Sequence, residues 1–108
     1  MPNITKVKIV VTVPLTHTDA VRKAIGDAGG GLIGNYSHCS TSMISVARFI
    51  PLNGASPGIG EVGKFEEVQE ERIEVTCAIE KTKSVIAADK SIHPYEEVAY
   101  DVYPLLDF

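Results

Sequence analysis

The chain has 108 residues and a formal net charge of −4 at pH 7, from ten basic and fourteen acidic side chains. This length suits one compact domain with a single hydrophobic core, and the mild acidity argues against a nucleic-acid partner, which needs a basic face. No apolar run approaches the roughly 20 residues that cross a bilayer, so no membrane partner is expected.

The first part of the chain predicts a strand followed by a helix. Residues 4–13 place alternate valine and isoleucine side chains on one face, which is typical of a half-buried strand, and Pro14 ends it. Thr16 and Asp19 have the spacing of a capping box, which predicts the start of a helix. An apolar stripe at helical spacing follows, and the glycines at 29–31 end the helix.

The rest of the chain predicts three further strands and a second helix. The predicted elements are a strand over 36–50, a loop over 51–63, a strand over 65–79, a helix over 81–92 and a strand over 97–103. The loop is rich in glycine and proline, and loops of this length are usually functional or mobile.

Acidic and sulfur side chains mark the strand over 65–79. Its acidic run consists of Glu66, Glu67, Glu70, Glu71 and Glu74. We interpret this run as a solvated face, because no calcium-loop motif accompanies it. Cys77 lies within the same strand and is predicted to be buried and inert. With Cys39 as the other cysteine, the chain has too few for a disulfide framework, which favours reduced thiols in a cytoplasm.

The order strand, helix, strand, strand, helix, strand predicts the fold class. Right-handed crossovers arrange these elements most simply as an α+β, ferredoxin-like βαββαβ domain over residues 1–108, with an antiparallel sheet and two helices on one face. The other sheet face carries Val10, Met43, Phe49 and Tyr103. Such a face favours a partner, and self-association is the simplest one.

Two glycine motifs match nucleotide-binding patterns by letter but not by context. Residues 29–34 match G-x-G-x-x-G, yet this fingerprint must follow a strand and open a helix, whereas here it follows a helix. Residues 58–64 match the P-loop spacing, but Phe65 stands where a magnesium-binding hydroxyl is needed. We reject both as phosphate sites.

The segment from His93 to Glu97 is the densest group of chemistry-bearing residues. His93 with Glu96 or Glu97 could form part of a divalent-metal site, or His93 could carry a proton. Alternatively, His93 caps the preceding helix, Pro94 ends it and the glutamates are solvated. The sequence leaves both interpretations open. His38 and Cys39 are a weaker candidate pair for metal binding, because adjacent residues of a strand point to opposite faces and do not easily bind one ion together.

Four stretches carry a resemblance to a known family: GGGLIGNYSHCS, NGASPGIG, EERIEV and HPYEEVAYDVYPL. Together they resemble the small inserted domain of the Nif-three-like (YqfO type) family, which also occurs as a separate protein. The chain departs from the family pattern after Cys39, where Thr41, Ser45 and Ala47 replace an aromatic and glycines. The inserted domain is similar in fold to the trimeric CutA and PII proteins, so the resemblance implies the same ferredoxin-like fold. The family's two-metal site lies in flanking domains, so its hydrolase label is not carried over.

The resemblance and the polar turns together suggest a ligand site near a subunit boundary. Its predicted residues are Gly34, Asn35, Tyr36, Cys39, His93, Tyr95, Glu96 and Glu97. The function we expect is a non-enzymatic ligand-binding or regulatory module of CutA/PII-like type, assembled as a homotrimer and binding a small molecule.

The sequence also leaves three alternatives open. The first is a divalent-metal-binding protein, with His93 and Glu96 as ligands and a divalent metal as the cofactor. The second is a pure interaction module, which the sequence does not separate from self-association. A metal-assisted hydrolase of a small phosphorylated substrate ranks last, because His93 is the one plausible base.

Overall fold

Four strands and two helices make up the computed structural model, which describes residues 3–108. The strands are β1 (Lys6–Pro14), β2 (Thr41–Phe49), β3 (Glu66–Ala78) and β4 (Tyr100–Leu105), and the helices are α1 (Thr18–Asp27) and α2 (Thr82–Ile92). The strands form one antiparallel sheet in the order β2-β3-β1-β4. This arrangement confirms the predicted ferredoxin-like α+β fold.

The hydrophobic core lies between the sheet and both helices. Alternate β1 side chains from Val7 to Val13 form one buried cluster with Val21 and Ile25 of α1 and Val85 of α2. The alternation in β1 predicts this face because successive strand residues point to opposite sides. Cys77 belongs to the same cluster and is 1% exposed, as predicted. Neither helix, at 10 and 11 residues, is long enough to cross a bilayer.

Three predicted boundaries are wrong, and one of them is the last strand, which covers Tyr100–Leu105 and not 97–103. Leu15–His17 form a 3-10 turn, and α1 begins at Thr18 without a side-chain cap. The Thr16 hydroxyl instead lies 2.8 Å from Nδ1 of His17, so the capping box does not form. The second strand begins at Thr41 and not at residue 36, because His38 has a left-handed φ of 59° that interrupts an extended chain.

The helix-free face of the sheet has the predicted apolar composition. The register places Val10, Met43, Phe49 and Tyr103 together on this face. Val10 is 3% exposed, whereas Met43 and Tyr103 are about half exposed. This side of the sheet therefore carries both buried and accessible apolar surface.

Candidate ligand-binding cleft

A cleft of about 390 Å³ lies on the helix-free face of the sheet, at the end where β2 finishes. Thr12, Ala47 and Glu70 line it, and the strand register places all three on this face. The opposite wall is the segment between α2 and β4. Pro94 cannot continue a helix, and β4 starts only at Tyr100, so this segment is free to cross the end of β1.

The loop between β2 and β3 forms part of the cleft wall. The backbone N–H of Ser56 donates to Oε2 of Glu96 at 2.7 Å. At Gly58, an added Cβ would lie 2.7 Å from the carbonyl oxygen of Pro94, so the two backbones approach too closely for any side chain. The long loop predicted over 51–63 is thus docked against the segment after α2.

His93 fastens the same segment to β1. Its Nε2 donates to the carbonyl oxygen of Thr12 at 2.7 Å, and its Nδ1 accepts from the backbone N–H of Tyr95 at 3.2 Å. These two bonds fit a neutral imidazole with its proton on Nε2. The side chain is 8% exposed, and its ring centroid lies 4.9 Å from that of Tyr95. His93 therefore positions Tyr95 in the cleft and does not itself face it.

Glu70 and Tyr95 are the buried polar groups of the cleft. Glu70 is 2% exposed, which corrects the interpretation of the acidic run as a solvated face. The Tyr95 hydroxyl is buried and has no hydrogen-bond partner among residues 3–108. Burial raises the pKa of this phenol above its usual range, and the Glu70 side chain, which the hydroxyl faces, adds to the shift through its polar interaction and its charge.

The eight predicted site residues separate into two groups within one chain. Tyr95, Glu96 and Glu97 line the cleft, with His93 behind them. The other group (Gly34, Asn35, Tyr36 and Cys39) lies at the opposite end of the sheet, where the backbone N–H of Gly31 donates to Thr76. Thr76 lies six residues along β3 from Glu70, a separation of roughly 20 Å. One copy of the chain therefore does not bring the two groups together.

A hydroxyl, an imidazole and a carboxylate lie in sequence at that opposite end. Ser37 Oγ lies 2.9 Å from Nδ1 of His38, and Nε2 of His38 lies 2.9 Å from Oδ1 of Asp27. Such a set is not visible in the sequence, because Asp27 belongs to α1 and reaches His38 only through folding. Lys23, through a hydrogen bond, and then His38 lower the pKa of the Asp27 carboxyl. All three side chains of the set are exposed, and we interpret their hydrogen bonds as attaching the segment before β2 to the end of α1.

The geometry does not favour the predicted pairing of His93 and Glu96 on a metal ion. Both ring nitrogens of His93 bond to the backbone, and Glu96 accepts from Ser56. Among residues 3–108, no three histidine, cysteine, aspartate or glutamate side chains are placed to hold a metal together. The metal site stays a prediction from the sequence.

Comparison with known proteins gives relatives for almost the whole chain. No protein-family model matches the sequence. A Bacillus subtilis protein named GTP cyclohydrolase 1 type 2 homolog is 50% identical over 98 residues, and its Mycobacterium tuberculosis counterpart is 46% identical over 99 residues. These matches cover 91% and 92% of this chain but only 26% of each relative. The chain thus spans about a quarter of the length of the curated relatives it matches.

Solved structures extend the comparison to the fold. A Bacillus cereus protein related to NIF3 superposes with a TM-score of 0.82 and 48% identity, covering 97% of this chain and 27% of that one. The periplasmic divalent cation tolerance protein CutA of Archaeoglobus fulgidus has a TM-score of 0.67 and 18% identity, covering 93% of this chain and 83% of that one. At this identity, the second likeness shows the fold alone.

Proposed function

Because the chain is a relative of the inserted, CutA-like domain of the Nif-three-like family, we propose that it is a non-enzymatic ligand-binding or regulatory module. We further propose that it works as a homotrimer with its ligand site near a subunit boundary. The relatives' name, GTP cyclohydrolase 1 type 2 homolog, describes proteins about four times as long as the matched region. That activity is not assigned to this chain.

The cleft on the helix-free face supports this proposal best. It has a volume in the range of small-molecule sites, and its lining is mostly apolar with a few convergent polar groups. The phenol of Tyr95 is harder to ionise than an ordinary tyrosine, so it suits hydrogen bonding to a ligand better than proton abstraction. These features favour binding over catalysis.

The exposure of β2 supports the proposed self-association. Ile44 and Val46 on the helix side are 59% and 47% exposed, and Met43 on the helix-free side is 54% exposed. β2 is also an edge strand, so its outer hydrogen-bonding groups have no neighbouring strand among residues 3–108. Apolar side chains on both faces of one edge strand favour burial against further copies of the chain. A subunit boundary at β2 would adjoin the cleft, since Ala47 and Phe49 line it.

Native mass spectrometry of untagged protein, purified gently from its own host, tests the assembly and the ligand together. We expect a trimer with a reproducible extra mass. Ala47→Leu fills the cleft and should release that mass, whereas Ala87→Leu makes the same change on an exposed part of α2 and should retain it. A monomer would contradict the trimer, and a bound mass unaffected by Ala47→Leu would contradict the cleft as its site.

Divalent-cation binding is a second candidate function. The carboxylates of Glu70, Glu96 and Glu97 line one cleft without converging on a single metal position, so a hard cation bound there would take further oxygen ligands from water or from a neighbouring subunit. The CutA protein of Archaeoglobus fulgidus, which shares the fold, is titled a divalent cation tolerance protein. Elemental analysis of untagged protein distinguishes the two candidates, because a metal-binding role requires a stoichiometric metal content that persists across several buffers.

A cytoplasmic location completes the proposal. Cys39 and Cys77 are both free, which fits a reducing compartment. The Archaeoglobus fulgidus neighbour is described as periplasmic, so the question needs its own measurement. Fractionation of the host cells, followed by immunodetection, would contradict our assignment if the protein appeared outside the cytoplasm.

A further inference from the structure

We propose that the cleft binds a small organic cation, namely a protonated amine on a hydrocarbon body. This inference rests on the proposed ligand-binding function and names the chemical class of its ligand. It follows from three properties of the cleft: a buried carboxylate that has no cationic partner among residues 3–108, aromatic walls and an apolar interior.

The buried carboxylate of Glu70 lacks a cation. Apart from the half-buried Glu66, the other glutamates on β3 have one each or more: Glu67 pairs with Arg48, Glu71 with Arg22, and Glu74 with Lys8 and Arg72. Glu70 is the most buried of these four glutamates, and no such ion pair reaches it from residues 3–108. Burying an ionised carboxylate without a cationic partner is costly, so this site gains most from a positively charged ligand.

The remaining charges of the cleft have the same sign. Glu96 and Glu97 line it with Glu70, while Arg48 is the one basic side chain among the described lining residues. Arg48 Nε lies 3.1 Å from Oε1 of Glu67, so its charge is already compensated. The local field therefore favours a cation over a neutral molecule and disfavours an anion.

Two aromatic rings can contact the charged end of such a ligand. The ring centroids of Phe49 and Tyr95 lie 6.4 Å apart with planes inclined at 59°, and both residues line the cleft. Ammonium groups are attracted to aromatic faces, more strongly when water is excluded. An ammonium group also has three donors and no acceptor, which matches the Glu70 carboxylate and the unpaired oxygen of Tyr95.

The hydrocarbon body would occupy the apolar part of the cleft. Ile50, Pro51 and Ile59 line that part, beside Ala55 and Ala99. A volume of about 390 Å³ lies at the lower end of the range for small-molecule sites. A primary amine on a chain or ring of several carbons fits these limits.

Three probes of nearly equal shape and different charge test the inference. Calorimetric titration of the full chain with hexylammonium, 1-hexanol and hexanoate should give binding for hexylammonium, about tenfold or more weaker binding for hexanol, and none for hexanoate. Glu70→Gln should remove the preference for the cation. Glu80→Gln makes the same charge change on an exposed residue outside the cleft and should leave the preference for the cation unchanged.

A second variant covers the case in which Glu70→Gln does not fold. Tyr95→Phe removes only the hydroxyl and should weaken hexylammonium binding several-fold. Equal binding of hexylammonium and hexanol, or cation binding that neither variant changes, would overturn the inference. If none of the three probes binds, the inference is overturned as well. This result is expected if a side chain of a neighbouring subunit fills the cleft. The broader proposal would survive either result if native mass spectrometry still found a cleft-bound mass.

Discussion

The imidazole of His38 occupies the space that a side chain at Gly26 would need. Gly26 lies inside α1, and an added Cβ there would overlap the His38 ring. His38 itself has a left-handed φ of 59°, which is uncommon for a residue other than glycine. A glycine within a helix and a histidine with a left-handed φ are both unfavourable. Together they allow the His38 ring to lie beside Asp27 at the end of α1.

This relationship predicts that Gly26→Ala has opposite effects in two backgrounds. In an open helix position the change would stabilise by about 0.5–1 kcal/mol. Here the new methyl group displaces the His38 ring and breaks its bond to Asp27, so we expect a lower melting temperature. In the His38→Gly background the ring is gone and the left-handed φ is unstrained, so the same change should raise the melting temperature. Thermal unfolding of the four proteins tests this reversal, and stabilisation in both backgrounds would refute it.

Asp89 predicts a pH dependence of stability. It is fully buried in α2, both carboxylate oxygens lack partners among residues 3–108, and burial raises its pKa above the ordinary value. Between the unfolded and folded pKa the folded chain binds more protons, so the free energy of unfolding falls as pH rises. Asn does not titrate, so we expect the free energy of unfolding of Asp89→Asn to exceed that of the parent by about 1–3 kcal/mol at neutral pH. This difference should disappear in acid.

Urea unfolding at several pH values measures the Asp89 effect. Asp107→Asn is the matched control, because Asp107 is exposed and its change should leave the pH profile nearly unaltered. A constant difference between Asp89→Asn and the parent at every pH would show that ionisation of Asp89 is not the cause.

The hydrogen bonds of His93 predict that replacing this residue lowers stability even when no metal is present. Removing its ring leaves the Thr12 carbonyl and the Tyr95 amide without their partners. We therefore expect His93→Ala to lower the free energy of unfolding by about 1–3 kcal/mol in metal-free buffer. His17→Ala, a change at a histidine near the protein surface, should cost much less. If His93→Ala were as stable as its parent without metal and lost stability only with metal present, His93 would be a ligand.

The sequence predicts the sheet better than it predicts the cleft. Alternation from Val7 to Val13 identifies the core face of β1, because a buried face imposes period two on the chain. The same rule fails for Glu70, because a glutamate among glutamates indicates solvent exposure. Glu70 is nevertheless 2% exposed, in a cleft that the loop and the segment after α2 also line. Burial of that kind depends on contacts between residues far apart in sequence.

The two predicted turns show a second limit of sequence analysis. Tyr36 and Tyr95 both follow a helix and both lie beside polar residues, so they look alike along the chain. The two helices, however, end at opposite ends of the sheet, since α1 follows β1 and α2 follows the antiparallel β3. Their separation in one chain follows from topology, and only an assembly of several copies could bring them together.

Gly58 predicts how the loop is held over the cleft. Gly58→Ala places a methyl group 2.7 Å from the Pro94 carbonyl oxygen, and a backbone atom cannot move aside cheaply. We expect the loop to shift away, so that the Ser56 amide loses its bond to Glu96 and exchanges its hydrogen faster. Ser56→Ala keeps that amide and should keep its protection. Amide exchange followed by NMR measures both variants, and unchanged Ser56 protection in Gly58→Ala would contradict this docking of the loop.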